Sequence, residues 1–358
     1  MKILSLFDGI SCARVALERA GIPVEVYYAS EIDKYAMQIS AKNYPDIVQL
    51  GDVKNLTQSY LCQGNICNFD LLIGGSPCQD LSIAKKDRKG LDGERSGLFW
   101  EYVRILKEVK PKYFILENVN SMPKEAKALI TETLGVEPIM INAALVSAQN
   151  RKRLFWTNIP NVTLPEDRGI LLKDILEESV DESFYVKNVN LIKGGTDKKT
   201  DLDFIGGIRN KDWAKDGKNY SRNFGQGDRV YSPEGKSTTL SALGGGRGAK
   251  TGLYAVPVAI IQTPRGYNKG GIKALDGKTP TLSSSSWEHN NHLIDNTQIR
   301  KLTPTECERL MGLDDGYTSG VSNSQRYKML GNSFHIDVIA HIMSFIKGID
   351  NKLEKNTI

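Results

Sequence analysis

Cysteine and histidine are scarce in this chain, and neither is arranged for structural work. Five cysteines (Cys12, Cys62, Cys67, Cys78, Cys307) and four histidines among 358 residues follow neither a disulfide framework nor the spacing of a zinc site. A disulfide-stapled secreted scaffold is therefore excluded, no metal is expected, and a reducing, cytoplasmic compartment is. Long hydrophobic runs are also missing. MKILSLF is interrupted by Asp8 before it becomes a signal-peptide core, and AVPVAII from Ala255 is strand-sized, so no membrane association is expected. A third absence is the spaced glycines of a dinucleotide fingerprint. The first apolar segment ends in LFDGIS, with Ser11 and Cys12 where further glycines would stand, which favours a cofactor without a pyrophosphate.

What is present suits a large globular chain of two domains, or one domain with a sizeable insertion: 40% apolar and 25% charged residues. The net charge of +5 is uneven. Residues 181 to 300 hold 18 Lys plus Arg against 12 Asp plus Glu, a surplus of 6, and 17 of the 33 glycines. Such a segment suits a nucleic-acid-contacting surface, or equally a set of charged, solvated loops.

Up to about residue 175 the chain alternates short apolar strands with helices. KILSLFD, VEVYYASE, FDLLIGG, KYFILENV and RLFWTN read as strands, and SCARVALERAG, Tyr35 to Tyr44 and GLFWEYVRILKEV as helices. Nearly continuous apolar strands between helices indicate a parallel sheet covered on both faces, with ligands beyond the carboxyl ends of its strands. From about Val180 the rhythm breaks. RVYSPEGKSTTLSALGGG and GIKALDGKTPTLSSSSW form a weak duplication consistent with two similar hairpin-and-loop elements. Helix resumes in TPTECERLMG, where Thr303 or Thr305 could cap and Glu306 or Glu308 complete a capping box. HIDVIAHIMSFIKG is amphipathic and is expected to dock back on the first domain.

Several residues sit where chemistry would be done. Glu31 and Asp52 follow strand candidates and suit a ribose diol and an exocyclic amine, although each taken singly reads more readily as a helix cap or surface acid. Cys78 lies in GGSPCQDLS between Pro77 and a polar stretch, KKDRKGLDGERSG. A nucleophile on a loop explains that polar surrounding better than an inert packed thiol does. Glu117 ends the apolar strand KYFIL, where a carboxyl group partly withdrawn from water can donate a proton or hydrogen bond. In QNRKR, Arg151 and Arg153 alternate and would project to one side of an extended backbone, to bind phosphate or a carbonyl oxygen or simply to flank the sheet.

Taken in order, LFDGIS, GGSPCQDLS, ENVNSM, QNRKRLFW, IRKLTPTECERLMG and GNSF resemble the motifs of DNA (cytosine-5)-methyltransferases of prokaryotic or phage type, and GGSPCQDLS and ENVNSM also resemble the animal de novo enzymes. The resemblance covers roughly residues 1 to 175 and 298 to 346. It implies a Rossmann-like methyltransferase fold, mostly parallel with helices on both faces, plus a smaller, irregular, β-rich target recognition domain. The expected segments are 1–178 (catalytic and cofactor-binding), 179–297 (target recognition) and 298–358 (return to the catalytic domain). The implied cofactor is S-adenosylmethionine, with S-adenosylhomocysteine as product.

By the same resemblance, Phe7 packs on the adenine, with Asp8 and Gly9 near the amino-acid portion of the cofactor. Glu31 holds the ribose, Ile32 stacks on the other adenine face, and Asp52 and Val53 touch its edge. Pro77, Leu98, Asn332 and Ser333 match further cofactor contacts. Cys78 is the implied nucleophile, Glu117 the acid at cytosine N3, and Arg151 and Arg153 the arginines near the flipped base. Ser11 and Cys12 depart from the glycines of many bacterial relatives, a departure shared with the animal de novo group. The loop 79–97, with Lys85, Lys86, Arg88 and Lys89 among its residues, would close over the base. Double-stranded DNA is the expected substrate, with a separate restriction endonuclease as a possible companion and a monomer as the working form. The alternatives are transfer to RNA, disfavoured by the absence of a Cys-Phe-Thr signature, and a DNA-binding homologue without turnover, disfavoured by the intact Cys78, Glu117 and arginine set.

Overall fold

Seven strands form one sheet in the order β3-β2-β1-β4-β5-β7-β6. The computed structural model describes residues 1–63, 68–76, 98–187, 189–193, 202–210, 224–242, 247–248, 250–256, 260–262, 271–273, 292–293 and 298–355. The elements of the first half alternate: β1 (Lys2–Leu6), α1 (Cys12–Arg19), β2 (Val26–Ser30), α2 (Lys34–Asn43), β3 (Val48–Gln49), α3 (Gln58–Gln63), β4 (Leu71–Gly75), α4 (Leu98–Val109), β5 (Tyr113–Val119), α5 (Lys124–Leu134), β6 (Ile139–Asn142) and β7 (Lys152–Thr157). Strands β1 to β5 pair in parallel, as their unbroken apolar runs require, because both faces of such strands are buried. Leu4 and Leu6 of β1 share a core with Phe99, Tyr102 and Ile105 of α4 and Ile130 of α5.

One strand runs against the others. RLFWTN was expected within a parallel sheet, but β7 is antiparallel to both β5 and β6 and inserts between them. The short link from β6 to β7 allows only that return, since a parallel connection needs a crossover of a dozen or more residues.

Contacts divide the chain into two units, Met1–Ile170 with Thr239–Ala242 and Pro304–Ile358, and Leu171–Thr238 with Leu243–Thr303. These limits differ from the segments expected from sequence by several residues at each join, and the four-residue piece Thr239–Ala242 belongs with the first unit. The second unit holds β8 (Val189–Lys193), β9 (Phe204–Asn210), β10 (Arg229–Tyr231), β11 (Leu253–Val256), β12 (Ile260–Gln262), β13 (Gly271–Lys273), β14 (His292–Leu293) and β15 (Gln298–Arg300). They form a five-stranded sheet, β15-β11-β10-β9-β8, and a three-stranded one, β13-β12-β14. Ile208, Val230, Leu253, Ala255 and Ile299 make the core of the larger sheet. The first copy of the duplication is not a hairpin: β10 pairs in parallel with β11 and antiparallel with β9. The second copy lies mostly outside the described residues.

The first unit is completed by α6 (Pro304–Met311), α7 (Asn323–Asn332) and α8 (Ile336–Lys355). Glu308 of α6 does not close a capping box. It is fully buried and accepts from the amides of Gly316 and Thr318 (2.7 and 2.8 Å) and from Arg326 (2.8 Å), fixing the turn that follows the helix. The stretch Asn323–Ile346 is apolar enough to cross a membrane by length and composition, but 67% of it is buried inside the protein and it is interrupted between α7 and α8. That is how a core helix pair behaves. Asp337 ties α8 to Arg19 of α1 (2.6 Å) and to Arg168 (3.0 Å), so the end of the chain docks on its beginning.

Gly331 of α7 explains how Thr239–Ala242 reaches this unit. A Cβ there would lie 2.5 Å from the Ala242 nitrogen and 2.7 Å from the Ser241 carbonyl carbon. Because those neighbours are backbone, Gly331→Ala should destabilise the protein by about 1–3 kcal/mol, the usual range for overpacking, seen as a lower urea midpoint.

Candidate active site

The carboxyl ends of β1, β2, β4 and β5 carry most of the residues singled out from sequence. At β1 the chain turns sharply: Phe7, Gly9 and Ser11 all have positive φ (56°, 63° and 61°). Two side chains hold this turn from opposite sides. Glu31, just beyond β2, accepts from the Gly9 amide with one oxygen (2.8 Å) and from the Ile32 and Asp33 amides with the other (2.7 and 2.8 Å). Asp8 points inward, where it accepts from the Tyr27 hydroxyl (2.6 Å) and the Ser11 hydroxyl (2.6 Å), and the Ser11 hydroxyl also meets that of Ser40 (2.6 Å). The Asp8 side chain, expected near a bound cofactor, is thus a buried brace. Burial pushes its carboxyl up to about 6, against the hydrogen bonds from the hydroxyls. Cys12, where many relatives have glycine, starts α1 fully buried, and burial pushes its thiol up to about 12, so it is an inert core thiol.

The remaining cofactor candidates border that turn. Ile32 is 72% exposed beside Glu31, a bare apolar side chain suited to a planar ring. Asp52 caps a short helical turn through the Lys54 amide (3.0 Å), whereas the Val53 side chain is buried in the core. Phe7 and Leu98 are partly buried against the same core. Asn332 is exposed at the end of α7, and the Ser333 hydroxyl lies 4.0 Å from where a Gly9 Cβ would be. An exposed apolar face, an anchored carboxylate and a glycine turn fit an adenosine with an amino-acid tail. Among the described residues no group of three or more His, Cys, Asp or Glu could hold a metal.

Across the sheet, Glu117 and Arg153 form an ion pair, Nε to Oε1 2.8 Å, with side chains only 14% and 15% exposed. In the β4–β5 register Gly75 stands opposite Glu117. The two glycines of GGSPC serve close approach rather than an unusual backbone angle. A Cβ on Gly74 would lie 3.0 Å from the Tyr102 ring and 3.1 Å from the Leu6 carbonyl, and one on Gly75 2.8 Å from the Phe334 ring. Asn118, buried next to Glu117, donates to the Ser76 hydroxyl (3.2 Å) and so ties β5 to the residue before Pro77. Pro77, Cys78 and the loop 79–97 lie outside the described residues.

Arg151 does not share the side of Arg153. It is buried, and its guanidinium donates to the carbonyls of Ser333 (2.8 Å) and Gly331 (3.1 Å), with a longer approach to that of Leu240 (3.5 Å). Arg151 precedes β7, so strand alternation does not apply to it. Reading single residues missed Tyr27, Ser40, Asn118 and Phe334. Only Asn118 and Phe334 left a signal, as the neighbours of Glu117 in ENVNSM and of Ser333 in GNSF.

A mostly parallel sheet with its functional residues at the carboxyl ends and one reversed strand defines an α/β methyltransferase-type fold. The family model described as C-5 cytosine-specific DNA methylase matches residues 1–348, and the chain belongs to that family. It is 28% identical to the orphan methyltransferase M.Rho11sI of Bacillus phage rho11s, over 96% of this chain and 97% of that protein. It is 29% identical to the type II methyltransferase M.HhaI of Haemophilus parahaemolyticus, over 96% and 93%. Its fold is that of the Entamoeba histolytica methyltransferase EhMeth (TM-score 0.63, 17% identity, 97% of each chain) and of Schizosaccharomyces pombe Dnmt2 (TM-score 0.59, 18% identity, 97% and 98%).

Two buried groups near the site titrate in opposite senses. Asp8, raised to about 6, contributes stability that is full below its unfolded value near 4 and is lost as pH rises through 6. His335 is pushed down to about 4 by burial, with the Arg151 charge adding to the effect and Asp337 opposing it. It stays neutral while the unfolded chain binds a proton, so stability falls as pH drops below about 6.5. Each effect is about 3 kcal/mol, and across pH 4 to 6.5 they nearly cancel. Urea titrations should therefore show stability rising with pH over this window in Asp8→Asn and falling with pH in His335→Gln, while the parent stays comparatively flat.

Proposed function

We propose that the chain is a DNA (cytosine-5-)-methyltransferase that moves a methyl group from S-adenosylmethionine to C5 of a cytosine flipped out of double-stranded DNA, through a covalent adduct on Cys78. The observation that carries this reading is the shielded Glu117–Arg153 pair opposite Gly75, three residues before Cys78 in the chain. S-adenosylmethionine, when bound, supplies an activated methyl group as a sulfonium. Residues Phe7, Gly9, Glu31, Ile32, Asp52, Leu98, Asn332 and Ser333 would hold it, with Pro77 and the backbone of Asp8 and Val53 beside them.

The chemistry assigned to the chain follows from the reluctance of C5 to attack. A Cys78 thiolate adds to C6, and the electron pair of the C5–C6 double bond becomes available at C5, with charge developing toward N3 and O2. As the base arrives Glu117 takes up a proton from solvent and, so protonated, donates to N3, while Arg153 donates to O2, both more effective out of water. After methylation, water takes the C5 proton, the S–C6 bond breaks, and the thiolate leaves with its electron pair. Approach to C6 is perpendicular to the ring, so the base must leave the stack. Arg151 acts from behind, setting the Gly331–Ser333 backbone. The orphan and type II methyltransferases among the relatives support a role in phage self-protection or restriction–modification, with the protein working as a cytoplasmic monomer beside any separate endonuclease.

Transfer of labelled methyl to double-stranded DNA and to structured RNA tests the reading. The parent should label DNA, Cys78→Ser should fall to background, and Glu117→Gln should lose about 10²-fold or more in kcat. Labelling of RNA alone would redirect the substrate, and a Cys78→Ser protein as fast as the parent would remove the covalent mechanism.

A further inference from the structure

Phe334 follows Ser333 directly, yet its ring is on the other side of the site, over the end of β4. It is buried, with 7% exposure. A Cβ on Gly75 would lie 2.8 Å from its Cε1, 3.3 Å from its Cζ and 3.2 Å from Glu117 Oε2. The ring edge and the carboxylate therefore occupy the space over one Cα, and the absence of a side chain at Gly75 is what admits both. The other flank of the carboxylate is taken by Arg153, at 2.8 Å. The residue behind the ring is fixed in its turn: the Ser333 carbonyl accepts from Arg151 at 2.8 Å and the Ser333 hydroxyl donates to Met329 at 2.8 Å.

We propose that Phe334 is a positioning residue for methyl transfer: its ring edge, seated on the Cα of Gly75, confines the Glu117 carboxyl against Arg153 and holds it in register with the backbone at Ser333. This rests on the reading above, in which Glu117 serves the base and Ser333 the cofactor. With the ring on one flank and Arg153 on the other, fewer rotamers are open to the carboxyl. Without the ring, the side chain gains rotamers and water gains access, and misplacement on the ångström scale degrades a proton donor far more than it degrades binding.

Two measurements separate this from a packing role. Reversible addition of a thiolate to C6 labilises the C5 hydrogen, so release of tritium from [5-³H]cytosine in DNA without cofactor reports base activation alone. Cofactor affinity is read separately by equilibrium binding. Phe334→Leu and Gly75→Ala should each lower tritium release and kcat for methyl transfer together, by about tenfold or more. The dissociation constant for S-adenosylmethionine should change by less than about threefold, since no atom of the ring is assigned to it. Phe334→Met, which can still reach the Gly75 Cα, should recover most of the loss, and Gly75→Ala should cost clearly less in a Phe334→Ala background than in the parent, because the 2.8 Å approach to the ring is gone and only the 3.2 Å approach to Glu117 Oε2 remains. If a folded Phe334→Leu protein releases tritium at the parent rate, or if only its cofactor affinity falls, the proposal is overturned. A parent protein that neither releases tritium nor transfers methyl would instead overturn the reading of function, and this inference with it.

Discussion

The Glu117–Arg153 pair exists because one strand of the sheet is reversed. Glu117 lies at the carboxyl end of β5, and Arg153 near the start of β7, opposite Val119. Were β7 parallel to β5, its first residues would lie at the other edge of the sheet, roughly 20 Å away for a six-residue strand. Reversal places the beginning of one strand beside the end of another, and a cation meets a carboxylate at the edge where ligands of such sheets collect. The pair is largely shielded, so each charge relies on the other more than a surface pair would. It also leaves the carboxylate with a single partnered flank, which is why the ring of Phe334 over Gly75 matters on the opposite one.

The turn after β1 solves a different problem. Three positive φ angles at Phe7, Gly9 and Ser11 cost about 1–2 kcal/mol for each residue other than glycine. The turn is held from both sides by acids of opposite exposure. Glu31 gathers three backbone amides, and Asp8 gathers two hydroxyls underneath. Ser11 holds its left-handed position because its hydroxyl joins that buried cluster, a contribution glycine could not make. The same polar floor turns the Asp8 side chain inward, where each of its oxygens accepts from a hydroxyl of the protein.

Most of the long strands and helices of the first unit were legible because their apolar runs and glycine or proline stops are local signals, whereas β3, β6, α3, α5 and α7 were not read. The direction of β7 was not, since a strand buried on both faces reads the same in either sense and only the length of the link before it distinguishes them. The alternation of Arg151 and Arg153 misled for a related reason. A period of two holds only inside a strand, and β7 begins at Lys152. Paired glycines such as Gly74 and Gly75 permit a close approach, but they do not say that it comes from Tyr102 of α4 and from Phe334 beyond α7. The docking of Thr239–Ala242 on the first unit left no trace in composition, because four residues in a glycine-rich segment carry no pattern of their own.

Arg151 shows why that docking needs an arginine. Its guanidinium faces carbonyls from two distant parts of the chain, Gly331 and Ser333 on one side and Leu240 on the other. A lysine would bring a compact ammonium with three donors, whereas the planar fork carries five in fixed directions and can address separated acceptors at once. Burial keeps the His335 imidazole neutral, and the Arg151 charge adds to that effect while Asp337 opposes it. A cation at that position would repel Arg151 and loosen the carbonyls it gathers, among them Ser333, whose neighbour Phe334 lies over Gly75. The neutrality of one buried ring and the geometry at the carboxyl end of β4 are thus linked through a single side chain.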